Sequence, residues 1–271
     1  AKIIEGWAAR FFTSCKEVVC GGLALSNLDL SGVNFTRAQL ARADLRGTDL
    51  QATDLSEANL REATLQGANL TDANLRAATL TYADLFETRL DGAHFENSDL
   101  SDTRLEGADL SGVNLMWAKL NRSNLVGANL AWANLYGADL RDANLESVTF
   151  EGAVLVGADL IGAELKSANL RKADMEEADL IGADLRGASF VEANLESANL
   201  HRANMFQADL TKARLGQADL FGANLVGATL AGADLSFAEL RQADFSSADL
   251  RGAKFLDANL AGADLSGAEI D

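Results

Sequence analysis

The residues able to do chemistry in this chain are few in kind. There are two histidines, His94 and His201, and two cysteines, Cys15 and Cys20. They form no cluster with the short spacings of a zinc site. The cysteines are five apart in a stretch predicted helical, where such a pair points to different sides and closes a disulfide poorly. The chain has 40 Asp and Glu residues. They recur at a fixed interval, so a nearby pair says little about acid–base catalysis. The glycines obey the same interval rather than the spacing of a phosphate-cradling loop. The sequence therefore predicts no catalytic residue, no metal and no cofactor, and reads as a non-enzyme.

Composition narrows the partners. A net charge of −17 argues against binding nucleic acid or an anionic membrane directly through a basic face. No apolar run approaches the ~20 residues that span a bilayer. Membrane association is expected only through a part outside this chain. The chain starts at Ala1 without an initiator Met, which suits processing or excision from a longer protein. The compartment stays open.

The fixed interval is five residues. From Leu25 to Ile270 every fifth residue is large and apolar: 41 Leu, six Phe, Met175, Met205 and Ile270. Two positions earlier stands a small residue, Ala in 39 of 50 repeats, and between the two stands Asp or Asn in 33. The unit is A(D/N)LXX, seen in Ala43-Asp44-Leu45-Arg46-Gly47 and in Ala128-Asn129-Leu130-Ala131-Trp132. A period of five fits neither a helix nor a flat strand. It fits three extended residues, with the small and large side chains on one side, followed by a two-residue corner. Twenty of the 23 glycines fall on the second corner residue, where positive φ is expected.

This pattern resembles the pentapeptide-repeat family, uninterrupted and Leu-centred as in cyanobacterial examples, over residues 23–271. The resemblance implies an all-β chain: a right-handed, four-sided parallel β-helix solenoid with four repeats per coil. About 12 coils would make a rod roughly 60 Å long at the strand spacing. Leu would stack on Leu along the axis, and Asp or Asn would bond to corner amides.

Residues 1–21 are predicted to form a capping α-helix and 22–271 the repeat domain. Ile3, Ile4, Trp7, Ala8, Phe11, Phe12, Cys15, Val18 and Val19 recur at helical spacing, and Gly21 and Gly22 end the run. A membrane-surface or dimerising helix is the alternative. The C-terminus carries no comparable lid, which suits a frayed end or an end-to-end homodimer.

With the core filled, function falls to outward residues that break the polar rule. Met116, Tyr136 and Val156 are twenty apart and should share one edge, with Trp117 beside Met116 and Trp132 one side-length away. Residues 111–140 hold two cations and one carboxylate, against eight carboxylates and two cations in 81–110 and twelve and five in 141–200. A low-charge aromatic window in an acidic rod suits an interface core. Equally, corner aromatics can simply pack over their neighbours. Ile161, Ile181, His201 and Phe221 make a second candidate ladder.

Three functional readings follow. The first is a rigid, non-catalytic scaffold that binds a protein partner. The second is implied by the resemblance: some family members imitate B-DNA and protect type II topoisomerases, gyrase among them, from quinolones. This chain departs from that subgroup in its few Phe centres, its lack of interrupting loops and of a C-terminal dimerisation helix, and its neutral window. The third, also from resemblance, is the soluble repeat domain of a membrane-anchored cyanobacterial protein such as one for heterocyst glycolipid deposition.

Overall fold

The computed structural model describes residues 21–271. One five-residue cycle runs through all of them: two turn residues, a link, a bridging residue and a second link. The bridging residue is the Asp/Asn position, and the link after it is the large apolar centre. Each bridge is parallel and joins residues twenty apart, as in the series Asp29, Asp49, Asn69, Arg89. One coil therefore takes twenty residues and four repeats, and the chain is a parallel β-helix.

The backbone explains the motif. In the repeat centred on Leu130 all five amides find acceptors, as buried polar groups must. Leu130 and Trp132 donate forward one coil, to the carbonyls of Thr149 and Glu151, and Asn129 donates back to Ala108. Ala128 donates across the preceding corner to Leu125. The remaining amide, on Ala131, has no backbone acceptor and donates to Asn129 Oδ1 at 3.1 Å. The Asp/Asn preference thus supplies, in most repeats, an acceptor for that amide through an Asx turn. Pro would remove a main-chain bond at four of the five positions and the Asx-turn bond at the fifth, in keeping with its absence from the chain.

The core is built of two kinds of column, four of apolar centres and four of small residues. The apolar centres from Leu30 to Leu250 are almost wholly buried, as are the Ala residues two before them. Each buried Leu contributes about 1.5–3 kcal/mol relative to exposure. Where Thr or Ser replaces Ala, the hydroxyl returns to a main-chain carbonyl: Thr53 to Leu50 and Thr103 to Leu100, both at 2.7 Å.

Every corner uses the same conformation. At each second turn residue from Gly22 to Gly267 φ is positive, between 54° and 77°, and thirty of these fifty residues are not glycine. With the amide of the residue after the corner closing onto the centre before it, this is the sign pattern of a type II turn. The predicted capping helix, with Cys15 and Cys20, lies outside the described residues. Gly21 and Gly22 already form the first turn of the cycle. In the last coil Leu256, Leu265 and Ile270 are exposed.

Candidate interaction surface

Trp117 and Trp132 occupy the left-handed corner position, at φ 59° and 61°. For a bulky L-residue that conformation costs about 1–2 kcal/mol, a cost that glycine, at twenty of the fifty corners, does not carry. Each indole lies over the coil above, where the matching corner residue is glycine. A Cβ built at Gly137 would overlap the Trp117 ring, and one at Gly152 the Trp132 ring. Tyr136 meets Trp117 edge-on, with centroids 5.2 Å apart and planes at 80°, a favoured aromatic geometry.

These rings remain open to solvent: Trp117 is 52% exposed, Trp132 66% and Tyr136 41%. Met116 and Val156 are half-buried in the same column as Tyr136. Trp132 and Tyr136 stand at the two ends of one straight segment, Ala133-Asn134-Leu135. Asn134 and, one coil earlier, Asn114 point their Oδ1 atoms at the amides of Tyr136 and Met116, both at 3.2 Å. One coil later the bridging residue is Val154, paired with Asn134 and Asp174. The sequence reading missed Val154. Its signal was available, because Val154 and Ala24 are the only apolar residues in the bridging column. The surface thus runs Trp132, Asn134, Tyr136 across one coil and Trp117, Tyr136, Val156 along the axis. Asp174, Glu176 and Glu177 follow it, and Asp91 and Glu96 precede it.

The second candidate column occupies another corner. Ile161, Ile181, His201 and Phe221 sit on consecutive coils, all half-buried. The His201 and Phe221 rings are stacked, with centroids 5.0 Å apart and planes at 9°. The Arg241 guanidinium lies 5.4 Å from the Phe221 centroid. Like the other three residues of its column, His201 is half covered. His94 lies 3.1 Å from an Arg76 guanidinium nitrogen and 3.6 Å from Glu96.

Asp139, Asp159 and Asp179 are bridge partners in one column. Arg141 grips Asp139 through two hydrogen bonds of 2.8 and 2.6 Å and holds its carboxyl below the usual range. Partial burial, with Asp139 and Asp179 on either side, pushes Asp159 the other way. Among the described residues no group of three His, Cys, Asp or Glu is placed to hold a metal. No helix among them is long and apolar enough to cross a membrane. A shallow notch of about 240 Å³ opens where Gly216 stands in a corner column. Its charges are already matched, Arg214 with Glu196 and Asp234 with Lys254.

The repeat extends beyond this geometry to known proteins. The family model for pentapeptide repeats matches residues 13–51 and, in overlapping copies, 53–271. The chain belongs to the pentapeptide repeat family. Its fold is accordingly the right-handed β-helix of pentapeptide repeat proteins, which are generally non-catalytic structural modules. No curated protein matches the sequence. Among solved structures it is similar to HetL from the cyanobacterium Nostoc sp. strain PCC 7120, a pentapeptide repeat protein involved in heterocyst differentiation regulation. Identity is 37% over 78% of this chain and 89% of HetL, with a TM-score of 0.48. It is also similar to trypsin-treated QnrB1, a plasmid-mediated fluoroquinolone resistance protein, at 25% identity over 64% and 88%, with a TM-score of 0.36. A third likeness is to pentapeptide repeat protein Rfr23 from the cyanobacterium Cyanothece 51142, at 21% identity over 60% and 94%, with a TM-score of 0.20.

Proposed function

We propose that this chain is a rigid, non-catalytic rod, four-sided and of about 12 coils, that binds a protein partner through the surface of Met116, Trp117, Trp132, Tyr136, Val154 and Val156. The observation that carries this reading is the placement of two exposed tryptophans at left-handed corners where glycine is the undemanding residue. Each indole's partial burial contributes about 1–2 kcal/mol at most, and the backbone takes back a similar amount. Folding therefore gains little from either ring. Exposed aromatics in a low-charge surround are the residues that anchor interfaces.

Imitation of DNA toward gyrase is the second reading, supported by the net charge of −17. The two separate in one design. Wild-type protein and the variant carrying Trp117→Gly and Trp132→Gly are compared as bait in partner capture and as additives in a gyrase supercoiling assay with quinolone. The scaffold reading expects capture to be lost in the variant and gyrase to be indifferent to both proteins. Gyrase inhibition or drug protection by both proteins alike would instead make the acidic faces the site. Capture retained by the variant would remove this surface from consideration.

A further inference from the structure

The column of Ile161, Ile181, His201 and Phe221 carries an inference independent of the tryptophan surface. Four features meet there. The column is continuous over four coils, three rungs apolar and the fourth the His201 ring stacked on Phe221, all half-buried but uncovered from outside. Its neighbouring corner residues are Gly162, Gly182, Arg202 and Gly222, so three of the four leave its flank bare. On one side the bridging column is Asp159, Asp179, Asn199, Asp219, Glu239, and on the other Glu164, Asp184, Asn204, Asn224, Asp244. Arg141 precedes the column and Arg241 follows it.

Several of these carboxylates are matched. Asp159 meets Arg141, Asp184 meets Arg186 and Lys166, and Glu239 meets Arg241. Among the described residues Asp179, Asp219 and Asp244 meet no cation. They accept only corner amides, from Ile181, Phe221 and Ser246. Along the strip itself the unpaired negative charge lies in one row, at Asp179 and Asp219; in the other row Glu164 and Asp184 meet Lys166 and Arg186, Asn204 and Asn224 are neutral, and Asp244 lies one coil beyond Phe221.

Spacing selects the shape of the occupant. The rungs repeat at the interstrand distance of ~4.8 Å. One face of an extended strand repeats every ~6.8 Å, a mismatch of ~2 Å per rung that places the third interval ~6 Å out of register. One face of an α-helix repeats every ~5.4 Å, and three intervals accumulate only ~2 Å. We infer that this corner docks an amphipathic α-helix of about three turns on a protein partner, with an apolar stripe on Ile161, Ile181, His201 and Phe221 and Lys or Arg on the flank that faces Asp179 and Asp219. The four rungs span ~14 Å. Helix-in-groove recognition uses such i, i+4, i+7 anchors.

The test uses the full chain and two fluorescein-labelled peptides of about 14 residues, both made only of Leu and Lys in equal proportions. One places Leu at helical period and the other alternates Leu with Lys. Fluorescence anisotropy should give at least tenfold tighter binding for the helical-period peptide, with a gain in its helicity by circular dichroism. Ile181→Gln combined with Phe221→Gln should weaken binding at least tenfold, and Asp179→Asn with Asp219→Asn should weaken it several-fold and flatten its salt dependence. Both are outward positions, and far-UV circular dichroism checks that each variant is folded. Equal binding of the two peptides, or indifference to the Ile181 and Phe221 changes, would reduce the effect to charge attraction and overturn the proposal. A loss seen only with Trp117→Gly and Trp132→Gly would move the peptide to the other surface, and would also overturn it.

Discussion

One corner of the rod, followed along its axis, changes character without changing shape. In the early coils it carries Arg37 and Glu57, joined by an ion pair of 2.8 Å. In the middle it carries Met116, Trp117 and Tyr136, and farther on Glu176 and Glu177. The left-handed residues Arg37, Glu57, Trp117 and Glu177 have φ of 59°, 57°, 59° and 57°. The backbone is the same whether the corner bears an ion pair, an indole or a carboxylate. Shape is set from inside, by Leu and Ala columns and by the amide bookkeeping of each repeat. The outer residues are set by the backbone far less than the inner ones, and the proposed partner surface rests on a local change in their chemistry.

The comparison breaks most visibly if an inner residue is changed beneath an outer one. Leu135→Ala, directly under the Trp132–Tyr136 segment, should cost about 2–5 kcal/mol in urea unfolding, because the close-packed column cannot collapse around the gap. A loss under about 1 kcal/mol would mean that the core does not dominate.

A smaller effect sharpens the outer half of the comparison. Asp139 and Asp159 are one coil apart in one column, yet are shifted in opposite directions. The lowered carboxyl of Asp139 contributes stability above the unfolded pKa of about 3.9, lost as pH falls through its folded value. The raised carboxyl of Asp159 costs stability at neutral pH, and the cost vanishes as pH falls below its folded value. Asp139→Asn should therefore lower stability and Asp159→Asn raise it at pH 7. Each change should be no larger than about 0.5 kcal/mol at such surface sites, and the two should converge near pH 2. Urea midpoints measured from pH 7 to 2 check the signs; a stability loss from Asp159→Asn at pH 7 would contradict them.

The sequence exposed the inner pattern more fully than the outer one, for physical reasons. A core column admits one size of side chain, so Leu at every fifth residue could be read directly. The Asp/Asn preference was legible too, although its full cause, the one amide per repeat without a backbone acceptor, needed the hydrogen bonds. Outer contacts run between coils and join residues about twenty apart. The Trp117 ring over Gly137, the Trp132 ring over Gly152 and the edge contact with Tyr136 were invisible in the local motif. Val154 stands away from the corners that carry the aromatics and shows in the sequence only as a break in the bridging column.

The central claim is that Trp117 and Trp132 serve recognition and not the fold. The most direct measurement is urea unfolding of the chain carrying Trp117→Gly and Trp132→Gly. Each site loses partial ring burial and regains a backbone suited to positive φ. The account predicts a stability within about 1 kcal/mol of the wild type. A fall of more than about 3 kcal/mol would show that the two indoles hold the coils together, and would contradict it.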